Sequence, residues 1–452
     1  MAREVGTLRI YAAAVYALDR EGAGAGYWPS SWPVECGGNR RQKSSPGRLD
    51  AAVGVAEVTT RSTGRWDVMV VHRDPGEWYV GGTMPAFSGP PPFGWVERFD
   101  PVSLEPVVRS PDLPCGEHVW CGAILAHANG SIYSVNGSYL HRLDAATLGV
   151  EAERALVDCS HNGLLAMSDG SLLTKDLRLE GQGATTVSRF EPDSLEPIGT
   201  PLVLPEGSMG RVAADVGADG VDRVYVPGTE HLFRLGLDGD ELVVDDWSPR
   251  YRDEGGPFGM AWDACLSGEH VWVMDDGDVE SVRHIHRTFP NGRFDQPPAL
   301  SWRQPAPWDG PQRLHRIDPV SGEVMSVAPF GVPGGGIIAP PVVVPEVGVA
   351  VAWDSVNGGL AGVGTESLDV RWILDVRPSM QPVVFPDSGE LVINDFSDDG
   401  VDHLVVVDVG SGELLDRVDT GSRIANGMFL TAGTDRDVYY CSTLTLARVA
   451  WV

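Results

Sequence analysis

Lysine occurs twice in this chain of 452 residues, at Lys43 and Lys175. Lys175 closes the extended run Ser171-Leu-Leu-Thr-Lys rather than sitting in a turn. A lysine desolvated at a strand end has a lowered pKa and can act as a base, form an imine or hold an anion; a structural pair with Asp176 is the competing reading. His161 and Asn162 precede the apolar run Gly163-Leu-Leu-Ala-Met, which puts an imidazole able to relay protons near neutral pH where a strand begins. Arg211 offers a fixed cation for a carboxylate or a developing oxyanion. His284-Ile-His286 sets two imidazoles on one side of an extended segment, with His286 as a further acid–base group; the pair ligates a metal only if His118, His161 or Asp276 joins it. His118, Asn162, Asp176, Gln381 and Asn426, with Phe258 and Met260 as apolar lining, complete a set of the kind that converges on a small substrate.

Two acidic turns share one internal spacing, Asp215-Val-Gly-Ala-Asp219-Gly-Val-Asp222 and Asp395-Phe-Ser-Asp-Asp399-Gly-Val-Asp402. Oxygen ligands at such intervals followed by glycine suit a hard divalent cation, calcium above all, and the run resembles the calcium loops of integrin-type propellers. Gly217 and Ser397 stand at the third position, however, and the last acid comes one residue early. Plain hydrogen-bonded Asp-Gly turns explain the same pattern. No other cofactor is indicated.

Sixty-three acidic side chains against 34 basic ones give a net charge of −29, so nucleic acid, which needs clustered cations, is not an expected partner. The densest cationic run is Arg40-Arg41-Gln-Lys43. With 42% apolar and 21% charged residues the chain has the composition of a core-forming globular protein. The most apolar stretch, Gly336 to Trp353, is broken by Pro340, Pro341 and Pro345, against a membrane span. Glu4 and Arg9 interrupt what a signal peptide would need as an apolar core, and the six cysteines are too sparse for a disulfide scaffold; a cytoplasmic location is expected.

What positions the polar set is a repeat. A basic residue, an apolar one, an acid, a small residue and a Ser/Thr turn recur as Arg98-Phe-Asp-Pro-Val-Ser-Leu, Arg142-Leu-Asp-Ala-Ala-Thr-Leu, Arg189-Phe-Glu-Pro-Asp-Ser-Leu and Arg316-Ile-Asp-Pro-Val-Ser-Gly, with weaker copies at Arg234, Gly362 and Val406. The spacing fits one four-stranded propeller blade per copy. Alternating segments such as Asp222-Arg-Val-Tyr-Val-Pro read as second strands, and no helical period is sustained. Third strands are predicted to start near Val96, Tyr139, Val187, His231, Gln312, Leu360, His403 and Ala447. This predicts an all-β fold, a single β-propeller over residues 1–452, with eight blades first and seven as runner-up. The ring would be closed by an N-terminal strand, Thr7 to Leu18, completing the last blade. Residues 19–65 would be an extension and 275–311 a lid-like insertion.

The pattern resembles the quinoprotein-like and YVTN-type superfamily of β-propellers over residues 66–452, on repeat spacing and turn residues. That resemblance implies the fold; quinone or haem chemistry is not implied, since no Cys-x-x-Cys-His and no regular tryptophan docking motif are present. Two functions fit. One is an intracellular enzyme acting on a small organic molecule, of lyase, isomerase or hydrolase type, with Lys175, His161 and His286 in acid–base roles and Arg211 holding an anion. The alternative is a non-catalytic platform that binds a protein or peptide through Trp78, Phe87, Phe93, Trp95, Trp302 and Trp308.

Overall fold

A computed structural model describes residues 24–84, 91–178, 182–217, 219–252, 261–277, 310–332, 335–336, 340–396, 400–423 and 429–452. Within them the chain is built from antiparallel strands, with two short 3₁₀ turns, Glu35–Gly37 and Ala51–Val53, as its helical elements. Glycine and proline spread as punctuation leave no segment with a sustained helical stripe.

The repeat signature is a strand-to-strand turn. Asp100 Oδ1 accepts from the backbone N–H groups of Val102 and Ser103 and from the Ser103 hydroxyl; Asp144, Asp318 and Asp408 do the same with their own Ser or Thr. The residue after that Ser or Thr takes a left-handed backbone, with φ of 62° at Leu104, 54° at Leu148 and 59° at Leu195, and of 76° and 77° at Gly322 and Gly412. Leucine is strained there, and what holds it is burial: Leu104, Leu148 and Leu195 are each 0% exposed, a gain of about 1.5–3 kcal/mol per side chain.

Six sheets have four strands each, of which Cys121–Ala126, Ile132–Asn136, Tyr139–Leu143 and Val150–Ala155 form the pattern. A seventh has six strands and joins the two ends of the chain in the order Leu430–Ala432, Asp437–Trp451, Ala56–His72, Trp78–Met84, Phe93–Phe99 and Pro106–Arg109. The protein is thus an all-β, single β-propeller, and the expectation of eight blades is corrected to seven. The residues meant for a separate last blade, Asp437–Trp451, pair with Ala56–His72 and so share one hydrogen-bonded sheet with the first strands; within them the chain doubles back, Trp451 N–H donating to Arg436 O at 2.9 Å. Closure of the ring comes from this pairing, Ala56 opposite Trp451 through Ser62 opposite Thr445. Thr7 to Leu18 lie outside the described residues. The other seven third strands begin within a few residues of their predicted starts.

The first strand of each sheet lies innermost, against the first strand of a neighbour, as Cys121–Ala126 lies against His161–Ala166. Sandwiched between sheets, strands such as Val342–Val344 and Val349–Trp353 are buried on both faces, which accounts for the continuous apolar run around them.

Innermost strands leave one row of backbone groups facing the axis without a sheet partner. Residues 24–55 supply partners. His72 N–H donates to Trp32 O, Ala126 to Pro33, Ala214 to Asn39, Leu266 to Arg40 and Val384 to Lys43, at 2.7–3.0 Å. These contacts fall at or near the far ends of the inner strands. The segment therefore closes one end of the axis as a floor, held by Trp32, which is fully buried.

Candidate active site

At the opposite end, where inner strands begin, the sequence places Trp120, His161, Asn162, Arg211, Asp263, Gln381 and Phe429, each within two residues of a strand start. Successive sheets turn these side chains toward one axis. Asn162 links two of them: its Oδ1 accepts from Trp120 Nε1 at 3.1 Å and its Nδ2 donates to Met209 O at 2.8 Å. His161 pairs across strands with Asp176, and its Nδ1 contacts Cys159 O at 3.0 Å. Burial lowers its pKa to about 4, so at neutral pH it is an uncharged imidazole. Lys175 is fully buried and donates to Ser208 O at 2.8 Å and to Asp176 O at 3.2 Å. Burial lowers its pKa to about 7 against the pull of Asp176 and Asp263. The Asp176 carboxylate itself is taken by Arg178, at 2.8 and 3.0 Å, and by Thr186 N–H at 3.0 Å.

Arg211 is 1% exposed. Its guanidinium carbon lies 4.7 Å from the Phe429 ring centre and 5.7 Å from that of Trp120, both within cation–π range. Its polar contacts are long: Gly122 O at 3.4 Å, Glu35 Oε1 at 3.6 Å and Asp263 Oδ2 at 3.9 Å. Nη2 has no hydrogen-bond partner among the described residues.

Below Arg211 stands a layer that comes from the floor. Arg41 binds Glu35 Oε1 at 3.1 Å and Asp263 Oδ2 at 2.8 Å, and its Nη2 lies 3.3 Å from Cys36 Sγ. Cys36 donates to Gln381 Oε1 at 2.7 Å, and burial pushes its thiol pKa up to about 11. Lys43 donates to Arg41 O and Pro341 O, both at 3.0 Å, with its pKa lowered by burial. The two carboxylates diverge. Burial lifts the pKa of Glu35, whereas Arg41 and Arg211 hold Asp263 below its ordinary value although burial opposes them.

The structure thus brings His161, Asn162, Lys175, Asp176, Arg211 and Gln381 into one neighbourhood. His118 stands apart at the rim, paired with the exposed Asp158 at 3.0 Å. His284, His286, Phe258, Met260, Asn426, Trp302, Trp308 and Phe87 lie outside the described residues. Sequence reasoning missed Glu35, Cys36, Arg41, Lys43 and Asp263. The available signal was Arg40-Arg41-Gln-Lys43: a cationic run in so acidic a chain, containing one of only two lysines, needs buried anions to hold it.

In the first acidic turn Asp215, Asp219 and Asp222 do not gather as a metal site would need. Asp219 is committed to Arg223 at 2.7 and 2.9 Å, Asp215 to Val216 N–H at 2.9 Å, and Asp222 to Ser168 at 2.6 and 3.1 Å, so their oxygens point at separate donors rather than at one ion. In the second turn Asp395 pairs with Arg417, Asp402 accepts from Tyr440 at 2.6 Å, and Asp399 is outside the described residues. Among the described residues one other group has metal-like proximity, Glu206, Glu230 and His231. Glu206 already accepts from His231 and from the backbone of Glu230, and Arg250 pairs with Glu230. Of the proposed interface aromatics, Trp78 and Trp95 are core residues at 3% and 0% exposure, which removes them as anchors. All six cysteines are free thiols.

No family model matches the chain, and no curated protein matches it in sequence. Solved structures do match in shape. The quinohemoprotein alcohol dehydrogenase ADHIIG from Pseudomonas putida HK5 superposes with a TM-score of 0.63 at 11% identity, over 94% of this chain and 80% of that one. BamB from Moraxella catarrhalis gives 0.55 at 14%, over 88% and 98%. Saccharomyces cerevisiae Sqt1 gives 0.58 at 10%, over 87% and 98%. At such identities the likeness is one of fold alone, and the fold it shows is a β-propeller.

Proposed function

We propose that the protein is an enzyme acting on a small organic anion at the axial mouth, by acid–base chemistry of the lyase, isomerase or hydrolase kind. The observation that carries this reading is Arg211: a buried guanidinium held by two aromatic rings, without a close ion pair, and with one N–H₂ unpartnered. A buried charged group left short of partners costs several times what a neutral one does, and an entering carboxylate supplies what is missing in bidentate form. Lys175, with a pKa near 7, is the group that both takes and gives a proton at neutral pH. Neutral His161 and Asn162 orient the substrate by hydrogen bonds, and the floor keeps solvent from the far side, which strengthens every electrostatic contact at the mouth.

The test is thermal denaturation and native mass spectrometry of the purified protein against a panel of small carboxylates and phosphates. At least one should raise the melting temperature of the natural chain and leave the Arg211→Met variant unmoved. Turnover of that compound should then disappear in Lys175→Ala. An equal shift in Arg211→Met removes the anion site, and unchanged turnover in Lys175→Ala removes the base. Recovery of a stoichiometric protein partner, with no small molecule retained, favours the platform reading instead.

A further inference from the structure

A second chemical centre lies on the outer half of the sheet built from Cys265–Ser267, His270–Asp275, Arg313–Ile317 and Val324–Val327, and it does not depend on the axial reading. In this sheet Val273, His315 and Ser326 stand opposite one another on consecutive strands. Ser326 is exposed on the outermost strand, while His315 and Asp275 are 0% exposed. Ser326 Oγ lies 2.7 Å from His315 Nδ1, and His315 Nε2 lies 2.8 Å from Asp275 Oδ2. The other oxygen of Asp275 accepts from Gly277 N–H at 2.8 Å and faces Arg252 Nη2 at 3.3 Å. Arg252 and His315 keep the Asp275 carboxyl below its ordinary pKa although burial opposes them.

An ionised Asp275 fixes the tautomer: Nε2 carries the hydrogen and donates to it, so Nδ1 is the acceptor and the Ser326 hydroxyl donates its proton there. Tyr251 packs on the imidazole with ring centres 5.2 Å apart and limits its rotation. The fold offers its own control. In the sheet containing Tyr139–Leu143, His141 occupies the matching place, but Glu153 stands where Ser326 would be, its carboxylate 3.3 Å from His141 Nε2, and Asn136 stands where Asp275 would be. Histidine at this position therefore occurs without a serine on the outer strand or an aspartate on the inner one; the ordered run Ser326, His315, Asp275 is particular to this sheet.

We propose that Ser326, His315 and Asp275 form a nucleophilic relay that reacts with small activated esters at the open outer edge of the sheet. Ser326 Oγ attacks the ester carbonyl as its proton passes to His315 Nδ1, and Asp275 stabilises the imidazolium. The tetrahedral species collapses, the C–O bond to the leaving group breaks, and the departing alkoxide or phenolate takes the proton from Nδ1. Water then attacks the acyl-serine by the same route, releasing the acid and restoring the hydroxyl.

The probe is an alkyl fluorophosphonate, whose fluoride leaves as Oγ bonds to phosphorus, with the adduct located by peptide mass spectrometry. Expected is one label per chain on Ser326, formed about a hundredfold faster than any label on Ser321, an exposed hydroxyl in a turn of the same sheet. Ser326→Ala, checked for unchanged circular dichroism, should abolish it. His315→Gln, checked for unchanged circular dichroism, should reduce labelling to the Ser321 rate. Labelling of Ser326 no faster than Ser321, or labelling that persists in a folded His315→Gln protein, overturns the proposal.

Discussion

Arg41 and Arg211 are both 1% exposed, share the partners Glu35 and Asp263, and point at one axis from opposite ends of the ring. Arg41, on the floor, is locked by ion pairs of 2.8 and 3.1 Å, whereas the guanidinium of Arg211, at the mouth, makes polar contacts that begin at 3.4 Å and leans on Phe429 and Trp120. Burial and residue type are the same, so they do not separate a structural cation from the one proposed to hold a ligand. What separates them is how closely each is ion-paired, because a close buried ion pair is costly to break while a loosely held charge has affinity to spare.

The sharpest way to break this comparison is to neutralise each arginine in turn. Arg41→Met strands Asp263 in the interior and is expected to cost about 3–5 kcal/mol of unfolding free energy. Arg211→Met removes two ring contacts and two long ion pairs and should cost about 1 kcal/mol. Both are read from urea denaturation midpoints. Equal losses would mean that mouth and floor form one structural cluster, and the case for Arg211 as a ligand group would go with them.

That the two layers meet was only half legible in the sequence. The hairpin signature carried the fold because an acid, a Ser or Thr and a left-handed residue are each demanded locally by one turn, at Asp100 as at Asp318. The mouth residues were legible for a related reason: His161, Arg211 and Gln381 sit beside apolar runs that announce strand starts. Nothing local announces residues 24–55. Their shape is imposed by the unpaired inner edges of strands hundreds of positions away, such as Val384, which donates to Lys43 O. The eighth blade failed because Ala447 carries a third-strand pattern, while the pairing that decides sheet membership, with Ala56–His72, is nonlocal. The first acidic turn misled because Arg223 and Ser168 reach carboxylates that spacing alone offers to an ion.

A finer probe of the mouth is Lys175, whose folded pKa of about 7 lies below its ordinary 10.5. The unfolded chain binds the proton more tightly, so between pH 7 and 10.5 unfolding takes up a proton and stability rises with pH. The contribution is full above 10.5 and is lost as pH falls through 7. Lys175→Met should flatten the rise across that window and make the protein more stable than the natural chain near pH 6. Each unit of displacement corresponds to about 1.4 kcal/mol. A variant with the same slope would show that Lys175 keeps an ordinary pKa in the folded state, and the proposed base would lose its basis.

The smallest effect belongs to the rim. His118 contacts Asp158 at 3.0 Å, but the Asp158 side chain is 92% exposed, so solvent screens the pair and the two side chains lose rotamer freedom in making it. His118→Ala is expected to change stability by no more than about 0.5 kcal/mol, and it should leave any ligand-induced shift in melting temperature intact, because no hydrogen bond connects His118 to Asn162 or Arg211. The informative outcome is the contrary one. A His118→Ala protein that keeps its stability but loses the ligand shift would extend the binding surface from the buried arginine out to the exposed rim, and the contrast would then lie between the floor and a mouth broader than Arg211 and its two rings.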